Sequence, residues 1–454
     1  MAASSTIAQL APRIRAGEVS SERLTRDCLD RIEAQNPALN AFITVTAEEA
    51  VAQAREADRE RAAGTYRGPL HGVPLSLKDL VDVAGVPTTA ASHVRDGHIA
   101  RQDAVVVAHL KAAGAVLVGK CNLHEFAFGT TNEESAYGPA RHPLDPTRSP
   151  GGSSGGSAIS VATGMAYASI GTDTGGSIRI PSAACGLVGL KPSMGDVDAT
   201  GVVPLSWTLD HVGPLCRSVT DAAILLDGLR GTTPRPEATP RAASLTLGIP
   251  RGYLMDRLDP DVATAFGETC DRLRAAGVTL TDVTIPHAGD TGTVYLHIVL
   301  AEAAAYHGAT LDATPEAYQP DIRLRLEMAR YVLAEDYARA LHGRQVLTAE
   351  VDAAIEGCDA LLLPALAIPA PPLGATTVRL GESDEPIRNA MLRLTQLFNI
   401  TGHPALTIPC GATPTGLPVG AQLVGARERT SALLQVGRSV EATLWPDGFS
   451  LAAR

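Results

Sequence analysis

Residues 167–186 read YASIGTDTGGSIRIPSAACG and pass from a short apolar run into a loop of Gly, Ser and Thr. The same texture extends over about residues 70–220, where short apolar runs alternate with loops rich in Gly, Ser, Thr and Pro. GVPLSL (72–77) and AVLVGK (115–120) predict strands, and DAVVVAHLKAAG (103–114) predicts a helix between them. This alternation predicts an α/β fold with a largely parallel, buried sheet that is covered by helices.

The whole chain, residues 1–454, is interpreted as one large layered domain. Its N-terminal part, about residues 1–65, has helical patterns, and the loops rich in Gly and Ser fall within about 66–230. Strand and helix patterns alternate again over about 245–454. Between these regions GTTPRPEATPRAAS (231–244) has the composition of a surface connection. Because strand and helix patterns alternate in a similar way before and after this segment, we expect only a weak subdivision of the domain there.

The composition and charge of the chain exclude several classes of protein. Of the 454 residues, 45% are hydrophobic and 19% are charged, as in a globular protein with a sizeable core. The net charge of −11 disfavours a nucleic-acid or anionic-membrane binder, which would need a basic surface. No run of about 18 apolar residues could span a bilayer, and no signal peptide is expected, because residues 1–18 hold charges within a helical pattern and no apolar stretch. We therefore expect a cytoplasmic protein that binds neither nucleic acid nor membrane.

The cysteines and histidines give no sign of a metal centre. The seven cysteines are scattered and form no C-x-x-C pair, which suits a reducing compartment rather than a disulfide framework. The histidines are equally scattered, without an H-E-x-x-H pattern. Neither Gly-rich loop has the lysine of a P-loop or the spacing G-x-G-x-x-G. No metal and no cofactor are therefore expected.

The loop SPGGSSGGSA (149–158) permits two interpretations. Its composition is that of a flexible linker. Around Ser153 it also has the pattern G-x-S-x-G, which is typical of a nucleophile elbow. An elbow needs a strand directly before it, and RHPLDPTRSP (141–150) holds three prolines, which a central strand does not tolerate. Taken alone, this loop is more typical of a structural turn than of a catalytic site.

The loop DTGGS (173–177) is more informative because an apolar strand leads directly into it. Such a turn can aim successive backbone N–H groups at one point, as an oxyanion hole requires. Glycine at two positions lets a substrate carbonyl group approach the backbone closely. Ser177 would then lie beside the hole, as the nucleophile of an acyl transfer should. The alternative interpretation is a strand-to-loop turn that ends in a capping serine.

A serine nucleophile needs a base, and lysine is the better candidate here. His71 and His124 lie in contexts more typical of packing or surface residues. The 38 basic residues include only these lysines: Lys78, Lys111, Lys120 and Lys191. Lys78 ends an apolar strand, where burial would move its pKa from ~10.4 toward ~7, and Asp79 should point to the opposite face. The alternative interpretation is that these four lysines are present by chance in a chain that otherwise uses arginine.

Three stretches taken together resemble the amidase signature family. They are GVPLSLKDL (72–80), GGSSGGSA (151–158) and GTDTGGSIRIPSAACGLVGLKPS (171–193). The resemblance extends over roughly residues 5–445 and includes FNITGHPALTIPCG (398–411). It implies a single α/β domain with a central mixed, mostly parallel sheet of about eleven strands and helices on both faces, in agreement with the alternating pattern.

The resemblance implies a Ser–cisSer–Lys triad. Ser177 would be the nucleophile, Ser153 the cis-serine and Lys78 the base. Ser154 is the rival for the second role, although the spacing to the other two residues favours Ser153. The peptide bond between Gly152 and Ser153 would then be cis. The serine between the lysine and the nucleophile can relay a proton in either direction because a hydroxyl both donates and accepts.

The resemblance also assigns the groups around the reacting carbonyl. The oxyanion hole would consist of the backbone N–H groups of Thr174, Gly175, Gly176 and Ser177. The substrate-binding residues would be Gly129, Thr130, Ser154 and Ile178. For Ile178, packing in the core is an equally good interpretation.

The expected activity is hydrolysis of the carbon–nitrogen bond of small amides, with carbamates (urethanes) and esters also open. Two departures disfavour a glutaminase-type A subunit of an amidotransferase. YVLAEDYARAL (331–341) stands where that subunit is rich in Tyr, and Leu392 stands where it has an Asp. The alternatives that remain are a carboxybiuret- or allophanate-type hydrolase, an α/β-hydrolase that uses Ser153, an inactive scaffold and the glutaminase itself. The expected partner is a small-molecule amide or carbamate, and a homodimer is left open.

Overall fold

A computed structural model describes residues 5–232 and 239–449. Its helices are α1 (Ile7–Arg15), α2 (Ser21–Leu39), α3 (Ala47–Ala62), α4 (Val105–Ala112), α5 (Gly155–Ala162), α6 (Arg179–Ala184), α7 (Val219–Arg230), α8 (Pro260–Ala275), α9 (Thr291–Ala313), α10 (Pro320–Ala329), α11 (Ala334–Ile355), α12 (Ile387–Leu392), α13 (Leu397–Ile400) and α14 (Thr430–Leu444). Its strands are β1 (Phe42–Val45), β2 (Pro74–Lys78), β3 (Val116–Cys121), β4 (Ala168–Asp173), β5 (Val188–Lys191), β6 (His211–Cys216), β7 (Thr246–Pro250), β8 (Thr279–Val283), β9 (Ala360–Pro364), β10 (Thr377–Leu380), β11 (Ser383–Pro386), β12 (Ala405–Ala412) and β13 (Pro418–Val424). None of these helices is long and apolar enough to cross a membrane.

Eleven strands form one mixed sheet in the order β1-β3-β2-β4-β6-β5-β12-β13-β9-β7-β8, and β10 pairs with β11 alone. The predicted α/β domain with an eleven-stranded mixed sheet is confirmed. The balance of pairings corrects the expectation of a mostly parallel sheet. Six neighbouring pairs within the described chain are antiparallel, and four are parallel.

The position of the helices explains this balance. Parallel neighbours need a crossover connection, and α4, α5 and α8 supply the connections from β2 to β3, from β3 to β4 and from β7 to β8. Through the middle of the sheet the chain instead returns antiparallel, as in the β12–β13 pair. The alternating pattern of strands and helices predicted the parallel pairs toward the two sides of the sheet but not the antiparallel pairs at its centre.

Helices cover both faces of the sheet, and each face has its own apolar core. Along β9, Leu362 packs into one large cluster of buried residues, whereas Leu361 and Leu363 pack into the other. Alternate side chains of a strand point to opposite faces. The strand is therefore buried on both sides, as the uninterrupted apolar run ALLLP (360–364) requires.

One short strand was not predicted, and part of the expected surface connection lies outside the described residues. Phe42–Val45 forms an edge strand within the N-terminal part, which had only helical patterns at the sequence level. Of the expected surface connection over residues 231–244, positions 233–238 lie outside the described residues.

The arrangement of three strands places the candidate residues together. β2 is parallel to β3 on one side and to β4 on the other, so their carboxyl ends meet at one edge. Lys78 ends β2, the loop 174–177 follows β4, and Ser153 lies just before α5. Ligands of open α/β sheets usually bind at the carboxyl ends of strands, and this edge is therefore the candidate site.

Candidate active site

Lys78 is completely buried and is held by hydroxyl groups. Its Nζ atom donates a hydrogen bond of 2.7 Å to Ser153 Oγ and one of 2.8 Å to Thr172 Oγ1. Burial lowers the pKa of Lys78 to about 7, although the negative charges of Asp210 and Asp173 act in the opposite direction. A substantial fraction of a lysine with that pKa is neutral near neutral pH, and the neutral amine can accept a proton.

Two of the other lysines form ion pairs with carboxylates, whereas Lys191 contacts a carbonyl oxygen and an imidazole. Lys120 forms an ion pair of 2.7 Å with Asp79, and Lys111 forms one of 2.8 Å with Asp103. The Asp79 carboxylate therefore points away from Lys78, as the alternation of side chains along a strand predicts. Lys78 has hydroxyl partners only, which is the environment that a general base needs.

The loop before α5 separates the roles of two adjacent serines. The Gly152–Ser153 peptide bond is cis, and the Ser153 hydroxyl accepts the hydrogen bond from Lys78. The hydroxyl of Ser154 turns elsewhere and donates to the Thr172 carbonyl oxygen at 3.2 Å. Of the two serines, Ser153 is thus the one that contacts the lysine.

The Gly/Ser-rich segment 149–158 is buried throughout, which a flexible linker would not be. A Cβ atom at Gly152 would lie 2.8 Å from the backbone nitrogen of Asn132, and one at Gly156 would collide with the Ala41 carbonyl oxygen. Side chains at these positions would push the backbones apart. The glycines therefore allow the loop to pack closely against its neighbours.

Ser177 ends a loop whose backbone donors are free. Within the described chain, the N–H groups of Thr174, Gly175, Gly176 and Ser177 have no hydrogen-bond acceptor. Buried backbone N–H groups are almost always paired, so four consecutive free donors indicate a site for an anionic or carbonyl oxygen. Gly176 has a φ of +146° and its absent side chain leaves room for Thr395, so this position requires glycine.

Two carboxylates hold the ends of this loop. Asp173 accepts hydrogen bonds from the Ile178 N–H at 3.1 Å and from Arg179 Nη2 at 2.9 Å. Burial would raise the pKa of Asp173, but the Arg179 guanidinium outweighs it and holds that pKa well below its usual range. Asp210 accepts a hydrogen bond of 2.5 Å from the Thr174 hydroxyl, and burial raises the pKa of Asp210 to about 6.

The substrate-binding candidates have different surroundings. Gly129 lies against the imidazole of His124, with no space for a side chain between them, and Thr130 is buried nearby, where it contacts the serine loop. Ile178 is completely buried in an apolar cluster with Leu215. Its side chain packs in the core, which agrees with the alternative interpretation given above, and its place in substrate binding stays a prediction.

His124 is buried, and neither ring nitrogen has a hydrogen-bond partner among the residues that the structure describes. Burial lowers its pKa well below the usual value, and the positive charges of Arg325, Arg388 and Lys78 act in the same direction. A neutral imidazole packed on Gly129 agrees with the packing role expected for it.

Sequence reasoning missed Thr172 and Asp210. Thr172 lies in the predicted strand YASIGT (167–172), and pairing that strand with the strand of Lys78 would have suggested the contact. Asp210 had no signal in the sequence, because it reaches Thr174 only through the antiparallel pairing of β4 with β6. No group of three or more His, Cys, Asp and Glu side chains in the described part of the chain could hold a metal ion.

Comparison with known proteins gives consistent matches over nearly the whole chain. The family model described as Amidase matches residues 23–434. An amidase of Pseudomonas putida is 39% identical, and the alignment covers 97% of this chain and 96% of the relative. A glutamyl-tRNA(Gln) amidotransferase subunit from Anaeromyxobacter sp. (strain K) is also 39% identical, with 95% of each chain covered. A crystal structure of an amidase superposes with a TM-score of 0.92 at 38% identity, covering 97% of this chain and 100% of that one.

Proposed function

This chain belongs to the amidase family, and we propose that it hydrolyses small amides through an acyl-enzyme formed on Ser177. The observation that carries the proposal is the hydrogen bond from buried Lys78 to Ser153, at the sheet edge where the loop 174–177 offers free N–H groups. A base, a relay hydroxyl, a nucleophile and an oxyanion site are the parts that acyl transfer needs.

In the first half of the reaction, a proton moves away from the nucleophile. Neutral Lys78 accepts the proton of the Ser153 hydroxyl while Ser153 accepts the proton of Ser177. The Ser177 oxygen attacks the amide carbon, and the oxyanion accepts hydrogen bonds from the backbone N–H groups of residues 174–177.

The link from Ser153 to Ser177 depends on bound substrate in this proposal. The described chain has no hydrogen bond between the two hydroxyls, and the Ser154 N–H donates to the Ser177 carbonyl oxygen at 3.3 Å. Hydrogen bonds of this kind are often long in free enzymes and shorten in the substrate complex. Substrate in the oxyanion site would complete the relay.

In the second half, the proton returns through Ser153 to the leaving nitrogen as the carbon–nitrogen bond breaks. An ester remains on Ser177, and water attacks it while Lys78 again accepts a proton through Ser153. The carboxylic acid leaves, the serine hydroxyl is restored, and no external reductant or oxidant takes part. Carbamates and esters could enter the same route, because each has a carbonyl carbon with a leaving group.

A glutaminase-type A subunit is the second candidate, because the amidotransferase relative from Anaeromyxobacter is 39% identical. Against it, buried Leu392 stands where such a subunit has an Asp, and its side chain lies beside the loop of the nucleophile, 3.0 Å from a Cβ built on Gly175. An apolar side chain there cannot pair with the ammonium group of glutamine. A carboxybiuret- or allophanate-type hydrolase is an alternative within the same chemistry.

The test combines a substrate panel with labelling of the nucleophile. Purified protein is assayed with aryl amides, aliphatic amides, carbamates, esters and glutamine, and is treated with a fluorophosphonate. We expect turnover of small amides and a modification that tandem mass spectrometry assigns to Ser177. Ser177→Ala should lose both. Modification of Ser153 in the unsubstituted protein would instead support the nucleophile elbow, and turnover of glutamine alone would support the glutaminase.

A further inference from the structure

A cavity of about 440 Å³ adjoins the loop that carries the free N–H groups. Tyr295 and Leu392 line this cavity. A Cβ atom at Gly175 would lie 2.6 Å from the Tyr295 hydroxyl and 3.0 Å from the Leu392 side chain. The two side chains therefore form a wall that the cavity shares with the candidate oxyanion site. A volume of this size suits a small organic ligand.

The lining of the cavity has an excess of positive charge. It includes Arg257, Arg388 and Arg393, and its carboxylate, Glu385, forms an ion pair with Arg257. Within the described chain, Arg388 has no hydrogen bond or ion pair, and its Nε atom is buried without a partner. The whole chain has a net charge of −11, so the positive charge of the cavity lining is opposite in sign to the charge of the protein as a whole.

Arg393 adds a second cation without a carboxylate partner among the residues that the structure describes. It is 8% exposed, and its Nε atom is buried without a hydrogen bond. Its Nη2 atom donates 2.6 Å to the Tyr253 carbonyl oxygen, and its guanidinium lies 4.0 Å from the centre of the Tyr253 ring. These contacts orient the side chain and stabilise its charge in part, but they supply no opposite charge.

Cations that lack a partner in such a place indicate an anion from outside the protein. A buried charge such as that of Arg393 is costly unless it is paired, and the planar guanidinium group of the partly exposed Arg388 fits a carboxylate with two parallel hydrogen bonds. The charge of Arg388 also reaches the wall of the site. Burial raises the pKa of Tyr295, and Arg388 is the strongest of the charges that lower it.

We propose that Arg388, together with Arg393 in the same cavity, binds a carboxylate carried by the substrate. This inference rests on the proposed amide hydrolysis and narrows it to anionic amides, such as the half-amides of short dicarboxylic acids. In this inference the reacting carbonyl lies at the loop 174–177, and the carboxylate reaches Arg388 past the side chains of Tyr295 and Leu392, which lie between the loop and the cavity. A positive patch in an otherwise acidic protein would also attract such substrates to the site.

The experiment measures binding without requiring turnover. Fluorophosphonate labelling of Ser177 is timed in the presence of succinamate, glutaramate or adipamate, and each acid is compared with its neutral diamide. We expect at least one acid to slow labelling at a concentration about tenfold or more below that of its diamide, the size of one charged hydrogen bond. Where an acid is hydrolysed, the ratio of kcat/KM for acid and diamide is measured as well.

Three variants assign the preference to the arginine. Arg388→Gln should reduce the ratio of acid to diamide protection about tenfold or more, and Arg388→Lys should keep part of that ratio because the charge remains. Arg339→Gln is the control, since Arg339 is exposed and pairs with Asp336 on the surface. The inference is overturned if no acid protects better than its diamide, or if Arg388→Gln keeps the ratio. Absence of labelling at Ser177 would instead refute the proposed function.

Discussion

The Thr174 hydroxyl donates a hydrogen bond of 2.5 Å to the carboxylate of Asp210. Thr174 begins the loop that ends at Ser177, and the charge of Asp210 is the strongest of those that oppose the lowered pKa of Lys78. The same carboxylate also accepts hydrogen bonds from the backbone N–H groups of Leu205 and Ser206. One acidic side chain therefore anchors the candidate oxyanion loop and influences the proposed base.

Replacing Asp210 by Asn should change the pH dependence of the reaction. The negative charge favours the protonated form of Lys78, so its removal should lower the pKa of the lysine. We expect the acid limb of kcat/KM to move to lower pH by about one unit, with a lower maximum because the loop is less firmly held. The profile is measured from about pH 5 to about pH 9. Asp103→Asn, at the ion pair with Lys111, is the control, and an unmoved acid limb would contradict this role of Asp210.

Activity should itself follow the ionisation of Lys78. Its pKa is lowered to about 7 by burial, and only the neutral amine accepts a proton, so kcat/KM should rise with pH and level off above about 7. Lys78→Arg should reduce kcat/KM by about a hundredfold or more, because arginine stays protonated. Lys111→Arg, at a half-exposed ion pair, should change little. Substantial activity in Lys78→Arg would rule out the lysine as base.

Much of the architecture follows from local patterns in the sequence. GVPLSL and AVLVGK form strands β2 and β3 because apolar runs of this length, bounded by glycine and separated by a helix, suit a buried parallel pair. Phe42–Val45 was missed because four residues between two helices give too short a pattern. The antiparallel returns at the centre were missed because pairing across long sequence separations has no local signal.

The candidate site was predictable to the extent that its residues follow strands. Lys78 ends β2 and Ser177 ends the short loop after β4, so both could be placed at one edge of the sheet from the sequence. Arg388 could not, because it lies on a short helix that meets the loop only in the folded chain. The role of Asp210 was hidden for the same reason. Long-range packing, rather than local propensity, decides which charges surround a reacting group.

Two adjacent serines should differ sharply on substitution. The Ser153 hydroxyl accepts the hydrogen bond from Lys78, whereas the Ser154 hydroxyl donates to a backbone carbonyl. Ser153→Ala should therefore reduce kcat by about a hundredfold to ten-thousandfold, the range of a lost proton relay. Ser154→Ala should cost far less, because it loses one neutral hydrogen bond. Single-turnover kinetics with an aryl amide separate the two, and equal losses would contradict the relay.

Packing at Gly129 offers a test that is independent of the proton relay. A methyl group at this position would overlap the imidazole of buried His124, so Gly129→Ala should destabilise the fold by about 1–3 kcal/mol. Activity should fall as well, because the backbone N–H of His124 donates a hydrogen bond of 3.1 Å to the Ser153 carbonyl oxygen.

A double-mutant cycle distinguishes this overlap from a general effect of the added methyl group. Removing the ring in His124→Ala frees the space that the methyl group needs, so the double variant should recover Tm and activity relative to Gly129→Ala. Gly267→Ala, on the exposed side of α8 with no atom near its Cβ, is the control and should be neutral or slightly stabilising. Strictly additive losses in the double variant would show that contact with His124 is not the reason for glycine at this position.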